Sequence, residues 1–570
     1  MAEIHGVTGT TEQGLQGFLR ARDFLLANRK DYQTAYRDFR WPQLHAFNWA
    51  LDYFDSYART NDKTALWIVD ENGPEVKLSF REMSRRSNQV ANFLHEQGVR
   101  RGDRIVVQLP NHVAMWEIML AAIKLGAVVI PAATLLTLAD LRDRLERGKA
   151  RHIVTHLTQI EKYSSLGSDY IRIVVGGEEK DWIPYWRAYD HSPDFIPDGG
   201  THANDPLLLY FTSGTTALPK LVLHTHQSYP AGHLVTMFWI GILPDDIHCN
   251  ISTPGWAKHA WSSFFAPWNA GATIFVHSYE RFNAKRTLAV IAGCGVTTMC
   301  APPTVWRLFI LEDLKSFPVR LRELTSAGEP LNSEVIERVR AAWNITIRDG
   351  FGQTENVLLL GNFPGQGVRP GAVGRPSPGH DVILLDQDGH ESDDGEIAVR
   401  CQPKPPSLMS GYLDDAERTA LSFAGGCYRT GDVAHRDGDG NFTYIGRADD
   451  VFKSSDYRLS PFELESALIE HACIAEAAVV PSADPIRWHV PKAFITLKPG
   501  LQPSREMACE IFRFIRGRFA PYKRIRRIEF SELPKTISGK IRRVQLRAIE
   551  SQPRQNRHPW EYWEEDFPDL

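Results

Sequence analysis

Short apolar runs alternate with amphipathic stretches between about residues 65 and 205, and this alternation predicts a layered α/β architecture. Ser84-Arg85-Arg86-Ser87-Asn88-Gln89-Val90-Ala91-Asn92-Phe93-Leu94 has helical spacing, whereas Arg104-Ile105-Val106-Val107-Gln108-Leu109 reads as a strand. A second set follows, with Ala272-Thr273-Ile274-Phe275-Val276-His277 and Val296-Thr297-Thr298-Met299 as strands around a helix over 283–293. The apolar region 118–136 contains Lys124, Gly126 and Pro131, so it reads as a core helix followed by a strand and not as a membrane span.

The flanks change character. Residues 13–54 are rich in aromatic and charged residues, with helical spacing at Phe18, Phe24 and Leu25, and predict a helical N-terminal extension over about 1–55. Strand and turn signals dominate 381–446, among them Glu396-Ile397-Ala398-Val399-Arg400, and predict a smaller β-rich subdomain. Pro403-Lys404-Pro405-Pro406-Ser407 reads as a surface loop. Beyond Gly446 the chain becomes basic and helical, with helices over 459–471 and 505–519, which marks a compact C-terminal domain with an acidic, aromatic tail over 560–570.

At 570 residues the chain is too long for one core, so at least two domains are expected. A net charge of −4 offers no global attraction to nucleic acid. The seven cysteines include no CxxC pair, and the N-terminus lacks the basic and apolar regions of a secretory signal. Both features predict reduced thiols in a cytoplasmic protein.

Leu207-Leu208-Leu209-Tyr210-Phe211 has the composition of a buried strand, and a polar loop leaves it: Thr212, Ser213, Gly214, Thr215, Thr216, Ala217, Leu218, Pro219 and Lys220. Gly214 permits tight turns in which backbone N–H groups converge on anionic oxygens. The hydroxyls of Thr212, Ser213, Thr215 and Thr216 add donors, and Lys220 adds a compact positive charge. No Gly-Lys-Ser/Thr follows at Walker A spacing. The loop instead resembles the phosphate loop of adenylate-forming enzymes, the superfamily of acyl-CoA synthetases, luciferases and peptide-synthetase adenylation domains, with Ala217 where the family carries glycine.

Further motifs extend the resemblance in family order over nearly the whole chain. Gly328, Glu329 and Pro330 in Ser326-Ala327-Gly328-Glu329-Pro330 resemble the segment that lies along adenine. Asp349-Gly350-Phe351-Gly352-Gln353-Thr354-Glu355 resembles the family's Tyr-Gly-x-Thr-Glu signature, with Phe351 in place of tyrosine. The resemblance implies that Thr354 bonds the α-phosphate and that Glu355, with Thr215, holds Mg²⁺, for which a carboxylate is a suitable hard ligand. Tyr428-Arg429-Thr430-Gly431-Asp432 supplies a carboxylate, Asp432, suited to two ribose hydroxyls, and Arg447 is suited to ribose or phosphate. Asp437-Gly438-Asp439-Gly440-Asn441 lacks the glycine and terminal glutamate spacing of a calcium loop and reads as a hairpin turn.

By resemblance Asp449 is the hinge of a swinging C-terminal domain. Lys453-Ser454-Ser455-Asp456-Tyr457-Arg458 is the segment brought in for thioester formation, with Asp456 where the family has glycine. Lys540 in Pro534-Lys535-Thr536-Ile537-Ser538-Gly539-Lys540 matches the catalytic lysine, which sets a point charge between the substrate carboxylate and the α-phosphate. Arg487 and Lys523 are the preferred partners of CoA phosphates. Trp256 and His259, in Thr253-Pro254-Gly255-Trp256-Ala257-Lys258-His259-Ala260-Trp261, line the acyl pocket or pack the core, and His259 is also suited to guiding the carboxylate.

The resemblance therefore implies an α/β protein with a large multilayer N-terminal AMP-binding domain over 1–448 and a small mobile α+β C-terminal domain over 449–570. The implied activity is that of an acyl-CoA synthetase, closest to the medium-chain and aromatic members. ATP activates a carboxylic acid as acyl-AMP, and CoA then takes the acyl group. A medium-chain or cyclic acid is the first substrate class, Mg²⁺ the metal, and neither nucleic acid nor stable membrane insertion is expected; a homodimer stays open. Two other readings stay open as well. One is a half-reaction member, either an acyltransferase using preformed acyl-AMP, from Ala217, or an adenylating enzyme without CoA activity, from Asp456. The other is a noncatalytic acyl-adenylate-binding protein.

Overall fold

Two large mixed sheets carry the first part of the chain, each parallel in its middle and antiparallel toward one or both edges. The computed structural model describes residues 2–212, 218–329, 331–454, 457–485, 487–535, 540–552 and 557–570, with the backbone alone for 2–11, 457 and 458. The chain divides into one unit of Met1–Val382 with Val399–Tyr428 and a second of Ile383–Ala398 with Arg429–Leu570.

In the first unit, a nine-stranded sheet places Ile347–Gly352 beside Glu323–Ala327 and, on its other side, Leu358–Gly361. An eight-stranded sheet places Pro206–Thr212 between Val128–Pro131 and Lys220–Thr225, with Gly411–Tyr412 at the edge. The α/β alternation read from the sequence is this layering. Helix Phe80–Glu96 starts where the Ser79 hydroxyl accepts from Glu82 N and the Glu82 carboxylate returns to Ser79 N, so two helix-end donors are satisfied together. Helix Val113–Leu125 ends at Gly126, whose φ of 71° suits glycine, and strand Val128–Pro131 follows. Lys124 is tolerated in this apolar helix because its buried ammonium donates to Asp55 at 2.8 Å, Ser87 at 2.9 Å and Asn88 at 2.6 Å. Among the described residues, no helix is long and apolar enough to cross a membrane.

The N-terminal segment is helical over Ala2–Ala27 and Tyr32–Asp38 and belongs to the core. Gly14, Phe18, Ala21 and Leu25 recur at helical spacing and are buried. Asn48 ties the segment down: its Oδ1 accepts from Ala50 N and Leu51 N, and its Nδ2 donates to Ile123 O at 2.7 Å. Two expected helices are shorter than read. Pro461–Ile469 begins after the Ser460 cap, and Arg505–Arg516 gives way at Gly517. The loop at Pro403 is exposed only at its start: Pro405 and Ser407 are buried, and Ser407 Oγ lies 2.6 Å from His380 Nε2. A buried polar partner, invisible to local sequence reading, pulls the loop inward.

The second unit contains most of the sheet Val382–Leu385, Asp394–Arg400, Cys427–Arg436 and Phe442–Arg447, in which Asp437 Oδ1 accepts from Asp439 N and Asn441 N to close the expected hairpin turn. A further sheet contains Ile474–Asp484, Trp488–Leu497, Arg527–Phe530 and, from the tail, Glu561–Trp563. Buried Lys492 fastens that tail, its Nζ lying 2.8 Å from Glu529, 2.7 Å from Glu550 and 3.0 Å from Glu561. None of the seven cysteines is in a disulfide.

Candidate active site

In the first unit, Thr212 faces Lys220 across an antiparallel pair, so the two ends of the hydroxyl-rich loop are held together. Ser213, Gly214, Thr215, Thr216 and Ala217 lie outside the described residues, and so does Pro330. Thr212 Oγ1 and Ser326 Oγ are buried without a hydrogen-bond partner among the described residues. Buried polar atoms are ordinarily paired, so two such atoms in the two nucleotide-type motifs suit a ligand rich in donors and acceptors.

The strand after the loop positions the Thr354–Glu355 turn. His224 Nε2 donates to Thr354 O at 2.7 Å, and its Nδ1 lies 3.0 Å from Ser228 Oγ. Burial pushes the imidazole down to about 4, so it is neutral, with one nitrogen donating and the other accepting. Glu355 is held twice: its carbonyl accepts from Met409 N at 2.8 Å, and its Oε1 accepts from Tyr412 OH at 3.0 Å. The Lys220 ammonium lies 5.2 Å from the centre of the Tyr412 ring. The base of the loop and the Glu355 carboxylate thus meet at one tyrosine. Gln353 Oε1 accepts from Tyr428 OH at 2.8 Å, and Phe351 and Thr354 are half-buried.

Asp349 is buried, with Oδ1 accepting from Gly350 N at 2.9 Å and Oδ2 from Leu331 N at 3.2 Å. Burial pushes its carboxyl up to about 7, while those two N–H groups oppose the shift. It fastens the end of strand Ile347–Gly352 to the chain that leaves the Gly328–Glu329 turn. Gly350 is required by packing, because a Cβ there would lie 2.6 Å from the Trp239 ring. Gly328 has φ of 108°, a conformation suited to glycine, and Glu329 lies 3.6 Å from Arg307. Lys258 Nζ donates to Ala327 O at 2.9 Å, linking this turn to the segment that carries Trp256 and His259.

Trp256 is half-buried and caps the short helix Ala257–Ala260, on which His259 is buried. Burial pushes the His259 imidazole down to about 3. The two residues border a small cavity with Met115, Met119, Tyr210 and Phe264, whose water-accessible space is about 10 Å³. That is room for roughly one water molecule.

The second unit brings Asp432, Tyr444 and Arg447 together. Tyr444 OH donates to Asp432 Oδ1 at 2.8 Å, and Arg447 Nη1 donates to Oδ2 at 3.1 Å. Gly431 takes φ of 72° and donates its N–H to Glu396 Oε1 at 2.8 Å, while Arg429 Nε donates to Oε2 at 2.8 Å. Asp449 Oδ1 lies 3.7 Å from Arg447 Nε. Ser455 and Asp456 lie outside the described residues; Tyr457 and Arg458 begin the strand Tyr457–Leu459. Arg487 is half-buried beside the Asp484 turn, and Lys523 is paired with Glu463 at 2.7 Å. Lys540 is exposed, next to the bridge between Lys535 and Ile541.

Residues 53–413 match the family of AMP-binding enzymes, and 463–540 match its C-terminal domain. The chain is 43% identical over 539 residues to 4-hydroxybutyrate–CoA ligase 1 of Metallosphaera sedula, covering 92% of this chain and 95% of that protein. It is 39% identical over 545 residues to the mitochondrial acyl-coenzyme A synthetase ACSM3 of Rattus norvegicus, covering 92% and 94%. The fold is similar to the crystal structure of the anthranilate CoA ligase AuaEII in complex with anthranoyl-AMP, with TM-score 0.81, 28% identity and coverage of 89% and 98%. A benzoate CoA ligase from Burkholderia xenovorans LB400 gives TM-score 0.76 at 29% identity, covering 88% of this chain and all of that one. The chain belongs to the AMP-binding enzyme family, as an AMP-forming acyl-CoA synthetase.

Sequence reading missed His224, Tyr412, Tyr444 and Glu396. His224 had a signal, since a histidine in the strand behind a phosphate loop is a candidate for positioning; Tyr412 is distant in sequence from both of its partners and had none.

Proposed function

We propose that this enzyme activates a carboxylic acid and completes both half-reactions with the residues named here. The observation that carries the reading is the meeting of Lys220 and Glu355 at Tyr412, with Thr354 fastened to the same strand by His224. A phosphate-binding loop and the turn bearing a metal-suited carboxylate are thereby built as one device.

In the first half-reaction, an oxygen of the substrate carboxylate attacks the α-phosphorus of ATP, and the bond to pyrophosphate breaks. Thr212, Ser213, Gly214, Thr215, Thr216 and Lys220 hold the departing phosphates; Thr354 donates to the α-phosphate; Asp432 and Arg447 hold the ribose; Gly328, Glu329, Pro330 and Phe351 border adenine. The Glu355 carboxylate suits Mg²⁺, with Thr215 as a second oxygen ligand, and the ion when bound would neutralise phosphate charge. Lys540 offsets charge that builds between carboxylate and phosphate.

In the second half-reaction, the CoA thiol gives up its proton, its sulfur attacks the acyl carbon, and AMP leaves. Rotation at Asp449 exchanges Lys540 for the segment from Ser455 to Arg458, and Arg487 and Lys523 bind CoA phosphates, Lys523 by exchanging its partner Glu463. The residues that are 1–448 and 449–570 act as the fixed and swinging domains in this scheme.

The aromatic acids named for the anthranilate and benzoate CoA ligases keep a medium-chain or cyclic acid, the class expected from the sequence, as the first substrate class. The unpaired thiols suit a reducing, cytoplasmic compartment. Lys540→Ala tests the scheme. Pyrophosphate release from acid and ATP falls at least a hundredfold, while thioester formation from preformed acyl-adenylate persists; equal loss of both steps contradicts the exchange.

A further inference from the structure

The segment that carries Trp256 and His259 is packed tightly at both ends. At its start Gly255 takes φ of 98°, and a Cβ there would lie 2.2 Å from Ala133 N, so the backbone is pressed against the chain that leaves strand Val128–Pro131. At its end the Trp261 ring abuts Gly352, where a Cβ would lie 2.6 Å from the indole, and Trp261 Nε1 donates to Tyr229 OH at 2.8 Å. Between these ends runs the short helix Ala257–Ala260, and from it Lys258 Nζ donates to Ala327 O at 2.9 Å.

Lys258 thereby holds the entrance to the Gly328–Glu329 turn. Ala327 is the last residue of strand Glu323–Ala327, and Gly328 follows it, exposed and with φ of 108°. The exit is held from the other side, where Leu331 N donates to Asp349 Oδ2 at 3.2 Å. The two clamps are linked as well, because the Lys258 charge acts on the Asp349 carboxyl and opposes the upward push of burial. A glycine turn fixed at both ends has less freedom to lose when a ligand settles on it, so less of the ligand's binding energy goes into ordering it. One of the two clamps starts on the segment that borders the acyl pocket.

We infer that Lys258 is a positioning residue that couples the two substrates of the first half-reaction. An acid seated against Trp256 and His259 steadies the helix that bears Lys258, Lys258 fixes the turn beside adenine, and ATP binds more tightly. Linkage makes the effect reciprocal, so ATP tightens the acid by the same factor. The inference rests on reading the segment of Trp256 and His259 as the acyl pocket and the Gly328–Glu329 turn as the wall of the adenine site. The contact of Trp261 with Gly352 joins the same segment to the Thr354 turn, but that turn is already fastened by His224 and Tyr412. Lys258 meets its turn through a directed bond, which a ligand-driven shift of the helix makes or breaks.

The test titrates the full-length enzyme with an ATP analogue that carries a methylene group between the α- and β-phosphorus and so cannot release pyrophosphate. Its dissociation constant is measured with and without a saturating acid, the one turned over fastest among butanoate, hexanoate, octanoate and benzoate. In the wild type the acid tightens the analogue about fivefold or more. Lys258→Met removes the bond to Ala327 O and brings that factor to unity, whereas Lys258→Arg keeps a charged donor and retains part of it. If the methionine variant does not fold, Lys258→Gln reads the same factor. A wild type without the coupling, or a methionine variant that keeps it whole while melting lower, overturns the inference and leaves the pocket and adenine readings standing. Those readings fail separately. Trp256→Ala that changes KM for no acid removes the pocket, and Gly328→Ala, strained at φ of 108°, that leaves the affinity for the analogue unchanged removes the adenine wall; the inference falls with either.

Discussion

His224 Nε2 donates to the carbonyl of Thr354 at 2.7 Å, joining two motifs that stand far apart in the chain. The imidazole is neutral and braced by Ser228, so it presents one nitrogen as a fixed donor. His224→Ala releases the Thr354–Glu355 turn and lowers the rate of pyrophosphate release by about tenfold to a hundredfold, the scale of effect produced by small displacements of reacting groups. His224→Gln keeps an N–H donor and recovers part of the rate. Equal rates for the wild type and the alanine variant would exclude a positioning role.

Tyr412 bears on the Glu355 carboxylate without being suited to metal binding itself. Tyr412→Phe removes one hydroxyl and leaves the ring beneath Lys220. The Mg²⁺ concentration for half-maximal pyrophosphate release rises about tenfold, in line with the effects of groups that orient metal ligands. An unchanged Mg²⁺ titration with a lowered maximal rate would move the effect to Lys220 instead.

In the second unit the Asp432 carboxylate carries Tyr444 on one oxygen and Arg447 on the other. Asp432→Asn keeps the shape and removes the charge opposite Arg447, so KM for ATP rises about tenfold, the worth of one charge-assisted hydrogen bond. Tyr444→Phe removes an internal partner only and changes KM for ATP less. Steady-state titrations with ATP distinguish the two.

His380, between Ser377 Oγ at 2.7 Å and Ser407 Oγ at 2.6 Å, is pushed by burial from the ordinary value of 6.5 down to about 3. The folded value lies below the unfolded one, so the unfolded chain takes up the proton first as pH falls. Its contribution is complete above pH 6.5 and is lost progressively from there toward pH 3. His380→Gln removes this term, and the loss of unfolding free energy between pH 7 and pH 5 shrinks by about 2 kcal/mol relative to wild type. Urea unfolding at the two pH values measures it, and an unaltered difference would mean that His380 is already charged.

Much of this architecture was legible in the sequence because it is governed by local signals. The strand Pro206–Thr212, the helix Phe80–Glu96 and the hairpin turn at Asp437 follow from apolar runs, capping and turn chemistry over a few neighbouring residues. Contacts across long sequence separations were not legible. Ser407 is drawn inward by His380, and Glu355 is held by Tyr412, for reasons that lie in tertiary packing. Asp349 shows the same limit within a motif: its residue type suits ligand binding, but its two oxygens fasten the backbone at Gly350 and Leu331.

The stoichiometry of a single reaction mixture tests the central claim most directly. Enzyme, ATP, Mg²⁺, CoA and one of a panel of aliphatic and aromatic carboxylic acids are incubated, and all nucleotide, phosphate and thioester products are counted. The account predicts one AMP and one pyrophosphate for each acyl-CoA, with acyl-AMP accumulating when CoA is left out. Formation of ADP and phosphate, or acyl-AMP that is never converted to thioester when CoA is supplied, would contradict it.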